Sequence, residues 1–150
     1  MKKAKDIMTR TPYVVAPETE IAEAARLLIE KKVNGIPVVD AMGSLVGILC
    51  QSDLVRLQKK FPIPSVFTLL DGILPIGSLD RVESELSRIS ATTVAEAMTP
   101  DPQTITPETP VDEIATLMVD RKLHTLPVVE EGALAGVVGK EDVLRTLYRE

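Results

Sequence analysis

The chain contains one sequence pattern twice, and this repeat constrains the fold more than any other feature. Shifting the 150-residue sequence by 90 positions aligns residues 8–40 with 98–130, with 13 identities in 33 positions. One residue is then lost from the second copy, and a shift of 89 continues the match. An internal repeat of this kind indicates two copies of one structural unit that bury a shared surface. The sequence therefore predicts a first domain at 1–57, a connector at 58–92 and a second domain at 93–150.

Each copy has the hydrophobic pattern of a small α/β unit. A short apolar segment around Val15, or Ile105, precedes an amphipathic helix whose apolar residues recur at helical spacing. Thr19 and Thr109 are the predicted N-caps of these helices, with Pro110 at the first helical position. Two apolar strands and a final helix follow, which gives the order β-α-β-β-α. One helical layer leaves the other face of so small a sheet uncovered, so we expect the two copies to pack sheet to sheet.

The connector is too apolar for a free linker. Both phenylalanines of the chain, Phe61 and Phe67, lie in it, and residues 79–89 carry an apolar stripe typical of a helix. Two interpretations stay open. The connector is either a cap over one edge of the core or a surface for a second copy or another protein. A homodimer is the predicted assembly.

Composition excludes several classes of protein. A net charge of −5 and 3% aromatic residues argue against a nucleic-acid binder. One cysteine and one histidine leave no intramolecular disulfide and no Cys- or His-based metal cluster. No apolar run approaches the ~20 residues that cross a bilayer, and no signal peptide is recognisable. We expect a cytoplasmic protein without a membrane partner, a metal or an obligatory cofactor.

An aspartate recurs in the first turn of the last helix of each copy. Asp53 and Asp142 each stand six residues after a glycine of the preceding strand. A carboxylate there stabilises the helix dipole by ~0.3–1 kcal/mol, which is a purely structural role. Its recurrence beside the same kind of strand in both copies favours a binding role.

Each of those neighbouring strands contains a proline, Pro37 or Pro127. Proline has no N–H and is confined to sheet edges or strand starts. The prolines therefore predict free backbone groups near Ile36 and Leu126. An aspartate beside an apolar slot with a free backbone edge suits a ribose and its base, and free helix N-termini suit phosphate.

The ordered set of motifs, Met-Thr…Pro, a helix, Pro-Val-Val and Gly followed by Asp, resembles the cystathionine-beta-synthase (CBS) domain. Two copies, at about 6–58 and 93–148, resemble the tandem pair called a Bateman module. The resemblance implies a pseudo-twofold disc with two clefts for adenosine compounds: AMP, ADP, ATP, NAD or S-adenosylmethionine. By that pattern Asp53 and Asp142 hold ribose hydroxyls. The base pockets are then lined by Thr11, Pro12, Asp101 and Pro102, with Gly35, Ile36, Thr125 and Leu126.

Two positions depart from the family pattern. Cys50 and Gly139 stand where the nucleotide motif usually carries Ser or Thr. Each missing hydroxyl costs about 0.5–1.5 kcal/mol of ligand affinity if it was used.

Several cations flank the second copy of the motif. Lys140, Arg121 and Lys122 predict that a phosphorylated ligand favours the second cleft. His124 is either structural or a phosphate contact.

Two functions remain from the sequence. The leading one is a regulatory sensor that binds an adenine nucleotide and acts on a partner protein in trans. The alternative is a ligand-free dimerisation or assembly module, which the missing hydroxyls favour and the paired aspartates oppose. An enzyme comes last, because the sequence shows no nucleophile–base pair, metal cluster or Walker-type glycine loop.

Overall fold

The computed structural model describes residues 1–60 and 92–148, and the predicted α/β class is confirmed. The apolar part of the connector, with Phe61 and Phe67, lies outside the described residues. The helices are α1 (Ala4–Ile7), α2 (Ile21–Glu30), α3 (Gln51–Lys60), α4 (Val94–Ala97), α5 (Val111–Asp120) and α6 (Lys140–Arg145). The strands are β1 (Gly35–Val39), β2 (Leu45–Cys50), β3 (Thr99–Pro100), β4 (Thr125–Glu130) and β5 (Ala133–Gly139).

Each copy contributes one antiparallel hairpin. Strands β1 and β2 pair with Gly35 opposite Cys50, and β4 and β5 pair with Thr125 opposite Gly139. The second hairpin turns through Glu131 and Gly132 with φ of +51° and +80°. Two successive left-handed residues make the type I′ turn whose twist matches that of the strands.

The first segment of each copy crosses to the sheet of the other copy. Thr9 pairs with Val137 of β5, and Thr99 in β3 pairs with Ile48 of β2. Consequently α1 packs in the core of the second copy and α4 packs in that of the first. The two pairings between the copies involve equivalent residues of the repeat. The copies are therefore intertwined about a pseudo-twofold axis.

Strand glycines make this exchange possible. A Cβ atom on Gly136 would lie 2.5 Å from the carbonyl oxygen of Thr9. On Gly47 it would lie 2.9 Å from the carbonyl oxygen of Thr99. These motif glycines therefore admit the backbone of the crossing segment.

A surface ion cluster holds the first crossing segment. Lys3 and Lys5 contact the carboxylate of Glu108 at 2.7 and 2.8 Å. Their hydrogen bonds lower the pKa of Glu108 to about 2. The carboxylate therefore stays ionised down to acidic pH and keeps both contacts.

The two long helices near the crossing begin one residue later than predicted. Helix α2 starts at Ile21 and α5 at Val111, and Pro110 is the N-cap rather than the first helical residue. The predicted caps, Thr19 and Thr109, instead accept the N–H of the residue three positions earlier. Carbonyls of the crossing segments accept the first helical N–H groups: Thr92 for Ile21, at 3.0 Å, and Lys2 for Val111, at 3.1 Å.

The proline strands lack the predicted free backbone at Ile36 and Leu126. These residues are fully buried and pair with Leu49 and Val138 of the neighbouring strand. On the other side, the carbonyls of the two prolines accept N–H groups from the segment expected to be a first strand. That segment forms only a one-residue parallel bridge in each copy: Val15 with Val38, and Ile105 with Val128.

Within residues 1–60 and 92–148, no helix has the length and apolar character needed to cross a bilayer. The same residues include no group of three or more His, Cys, Asp or Glu side chains placed to hold a metal ion.

Candidate ligand clefts between the two copies

Two clefts lie between the copies, and each takes one wall from either copy. Cleft A, of about 250 Å³, lies between the β2–α3 junction and residues 122–125. Cleft B, of about 300 Å³, lies between the β5–α6 junction and residues 31–35. The sequence predicted that a nucleotide binds between the two copies, with a cleft beside each aspartate, but it did not predict which residues of the opposite copy face each aspartate.

The clefts meet where β1 and β4 begin. Thr125 lines both clefts and faces Gly35, its counterpart in the repeat. A Cβ atom on Gly35 would lie 3.2 Å from Cys50 Sγ and 3.3 Å from Thr125 Oγ1. A glycine at this point lets the two copies approach closely.

The structure brings about half of the predicted site residues to a cleft. Cleft A is lined by Cys50, Pro102, His124 and Thr125, and cleft B by Gly35, Thr125, Gly139 and Asp142. Other predicted residues line neither cleft. Among these, Thr11, Asp101 and Lys140 are exposed, Pro12 is half-buried, and the strand residues Ile36, Pro37, Leu126 and Pro127 are buried. Sequence reasoning missed Thr99 and Gln103 in cleft A and Thr9 and Lys32 in cleft B, which only the crossed pairing of the copies brings there.

Asp53 lies behind the wall of cleft A. Its side chain is fully buried. One carboxylate oxygen accepts the N–H of Cys50 at 2.7 Å. The other accepts the hydroxyl of Thr99 at 2.9 Å and lies 3.2 Å from the guanidinium of Arg56. Asp53 therefore holds three residues that line the cleft, and does not itself line it.

Asp142, the counterpart of Asp53, lines cleft B and is 13% exposed. One oxygen accepts the N–H of Gly139 at 2.8 Å, and the other contacts Arg145. Among the described residues the hydroxyl of Thr9, the counterpart of Thr99, makes no bond to Asp142. This carboxylate is therefore the less enclosed of the pair.

The cations are distributed differently from the prediction. Lys122 lines cleft A together with Arg56 and His124, and no carboxylate stands among the described residues that line it. Arg121 and Lys140 line neither cleft. The preference of phosphate for the second cleft was predicted from these cations, and the crossing of the copies removes that basis.

Two lysines occupy backbone positions that normally favour glycine. Lys32 and Lys122 have φ of +53° and +55° and follow the last turns of α2 and α5. The next residue donates its N–H to the carbonyl five positions earlier, as in a Schellman motif, where glycine is usual. A left-handed non-glycine residue costs roughly 1 kcal/mol. Both lysines line a cleft.

The thiol of Cys50 is expected to be poorly reactive. Burial, together with the nearby negative charge of Asp53, raises the pKa of the Cys50 thiol to about 11. The thiol therefore stays protonated at neutral pH, although it lines cleft A.

We expect iodoacetamide to alkylate Cys50 in the folded protein at least about 100-fold more slowly at pH 8 than in the urea-unfolded chain. The two-unit rise from 9.0 to about 11 reduces the thiolate fraction by that factor. The rate of the folded protein should climb tenfold per pH unit up to about pH 10. Equal rates in the folded and unfolded protein would show that the thiol is neither buried nor perturbed.

Comparison with known proteins identifies relatives of both copies. The family model for the CBS domain matches residues 4–60 and 94–149. The chloroplastic CBS domain-containing protein CBSX2 of Arabidopsis thaliana is 31% identical over 147 residues, which cover 93% of this chain and 61% of that protein. The uncharacterized protein MJ1426 of Methanocaldococcus jannaschii is 31% identical over 153 residues, covering 95% of this chain and 89% of that one. The chain thus spans less than two thirds of the chloroplastic relative.

Solved structures of related proteins share the fold of this chain. CBSX2 in complex with AMP superposes with a TM-score of 0.73 at 29% identity, covering 98% of this chain and 96% of that one. The CBS domain of a membrane protein from Sphaerobacter thermophilus gives 0.76 at 30%, covering 100% and 90%. The CBS domain pair of MJ0100 in complex with 5′-methylthioadenosine and S-adenosyl-L-methionine gives 0.71 at 26%, covering 98% and 96%. Two of these relatives hold adenosine compounds, one of them phosphorylated.

Proposed function

Because the chain belongs to the CBS domain family and carries two copies of that domain, we propose that it is a regulatory module that binds adenosine compounds in clefts A and B. It performs no catalysis of its own, and its output passes to a partner protein in trans. The observation that carries the proposal is that each cleft has one wall from either copy. A bound ligand contacts both copies and so favours one relative arrangement of them.

The chemistry of the clefts supports this ligand class. Their volumes lie near the lower end of the range for small-molecule pockets. Cleft A offers the cation Lys122, and Arg56 paired with Asp53, beside the polar side chains of Ser52 and Gln103, a set that suits a phosphorylated nucleoside. Cleft B offers the carboxylate of Asp142, which accepts hydrogen bonds as a ribose requires.

Regulation follows from the crossing segments. A ligand shifts an equilibrium only by its difference in affinity for the two states. Here the walls of the clefts continue into β3 and into the segment around Thr9, which join one copy to the other. Closing a cleft on a ligand therefore alters the fit between the copies, and a partner protein bound to both copies detects the change.

A ligand-free assembly module remains the second candidate. Both oxygens of Asp53 already have partners within the protein. Val55 and Leu144, at equivalent positions of α3 and α6, are apolar residues that are more than half exposed. Such residues suit the contact of a homodimer, the assembly we propose under either function.

Calorimetry and thermal unfolding with AMP, ADP, ATP, NAD, S-adenosylmethionine and adenosine test the ligand class. A ligand at 100 times its dissociation constant stabilises the folded state by about 2.7 kcal/mol. For a chain of this size that raises the Tm by roughly 5–10 °C. If none of these compounds at millimolar concentration raises the Tm, the assembly function replaces the sensor.

We expect Lys122→Gln to weaken AMP binding about fivefold to tenfold, because it removes one cation from cleft A. Lys32→Gln is the matched control, since it alters the equivalent left-handed residue in cleft B at the same cost in stability. Titration of both variants with AMP measures the difference. An equal loss of affinity in the two variants, or none in either, would contradict the assignment of AMP to cleft A.

A further inference from the structure

We propose that Glu141 makes cleft B select adenosine compounds that carry no 5′ phosphate, so that the two clefts of one chain take ligands of different charge. The inference rests on the proposed function and extends it to the ligand class of each cleft. Its basis is a single difference in charge between two otherwise equivalent positions.

Ser52 and Glu141 occupy the same position in the two copies. Each is the second residue of the last helix of its copy, and each lines the cleft beside that helix. Two cations of each cleft correspond in the repeat, Arg56 to Arg145 and Lys122 to Lys32, and Lys31 is an additional cation at cleft B. A hydroxyl in cleft A is thus replaced by a carboxylate in cleft B.

The carboxylate of Glu141 is held in the cleft. Its Oε1 atom accepts a hydrogen bond from the amide of Asn34, in the first copy, at 3.3 Å. Its Oε2 atom lies 3.3 Å from the place where a Cβ atom on Gly139 would stand. The absent side chain at Gly139 leaves room for the carboxylate, whereas Cys50 fills the equivalent space in cleft A.

The cations of cleft B do not cancel this charge. Arg145 is paired with Asp142 just as Arg56 is paired with Asp53 in cleft A, so these two arginines do not distinguish the clefts. The ammonium group of Lys31 is directed to the Tyr13 ring, 5.4 Å from its centre, and Tyr13 does not line cleft B. Lys32 remains, and it corresponds to Lys122 in cleft A. A phosphate entering cleft B therefore meets a carboxylate that cleft A lacks, and the two anions repel each other. An adenosine with an uncharged or cationic 5′ group escapes this repulsion and keeps the contact of its ribose with Asp142.

The test is calorimetric titration with AMP and with adenosine, which differ only in the phosphate. We expect the native chain to bind AMP at one site. Glu141→Ser, which copies cleft A, should strengthen AMP binding in cleft B about tenfold and add a second AMP site per chain. Glu141→Gln keeps the shape and the contact with Asn34, so an equal gain in that variant assigns the effect to charge. Adenosine affinity should change less than twofold in both variants.

The converse variant, Ser52→Glu, should weaken AMP binding in cleft A about tenfold. Protection of Cys50 from alkylation at pH 9.5 reports occupancy of cleft A and locates each site. If the native chain binds AMP and neither Glu141 variant changes affinity or stoichiometry, the inference is overturned and the proposed function stands. If neither compound binds the native chain or any variant, both are overturned.

Discussion

Replacing Gly136 by alanine is expected to destabilise the protein by about 3 kcal/mol, by forcing the first crossing segment away from β5. The new Cβ atom would lie 2.5 Å from the carbonyl oxygen of Thr9 and 3.0 Å from Met8 Sδ. The methionine can move, but the backbone oxygen cannot move without breaking the two hydrogen bonds between Thr9 and Val137, at 2.9 and 3.0 Å. Two lost backbone bonds and the overpacking each contribute to the total.

Urea denaturation of the native chain and of Gly136→Ala measures this loss. Gly139→Ala is the matched control in the same strand. Its φ of −99° suits any residue. Its Cβ atom would lie 3.3 Å from the flexible end of Glu141, and at ordinary contact distances of 3.7 and 3.9 Å from Asp142 Oδ2 and the carbonyl oxygen of His124. We expect the control to change the free energy of unfolding by less than about 1 kcal/mol. A similar loss in both variants would mean that the crossing segment does not need the glycine.

The crossing of the first segment of each copy to the other copy explains which features of the fold the sequence predicted. The buried stripe of α2, with Ile21, Ala24 and Leu28, follows from helical spacing within ten residues, and the structure confirms it. The start of that helix depends on a carbonyl more than seventy residues away, at Thr92. No local pattern reveals such a partner, so the sequence assigned the cap to Thr19.

The candidate site was predictable to a similar extent. The repeat singled out the strand ends at Cys50 and Gly139, and both line a cleft in the structure. Lys122 was grouped with the second cleft because it stands in the second copy. The crossing of the copies instead places Lys122 opposite the β2–α3 junction of the first copy. Equivalence in sequence also gave no sign that the two aspartates differ in burial.

That difference gives the second large effect. We expect Asp53→Ala to lower the free energy of unfolding by about 3 kcal/mol, since it empties a buried site and leaves the part-buried N–H of Cys50 and hydroxyl of Thr99 without their acceptor. Asp142→Ala should lower it by only about 1 kcal/mol, the usual value of a helix cap, because Asp142 is partly exposed and serves chiefly the N–H of Gly139. Chemical denaturation of the two variants under the same conditions measures the gap.

Ligand binding should follow the opposite order. Asp142 lines cleft B, so Asp142→Ala is expected to weaken adenosine binding about tenfold, as the loss of a charged hydrogen-bond acceptor does. Asp53→Asn keeps one acceptor oxygen for the N–H of Cys50, and its NH2 group can donate to the hydroxyl of Thr99 in place of the second carboxylate oxygen. This variant should recover part of the stability lost in Asp53→Ala and leave adenosine affinity within about twofold, because Asp53 acts on the cleft only through the residues it holds. If Asp53→Asn instead abolished adenosine binding while remaining folded, Asp53 would have to leave its partners in the protein and contact the ligand directly. Stability and affinity measured on the same three variants therefore separate a carboxylate that builds the wall of a cleft from one that meets the ligand.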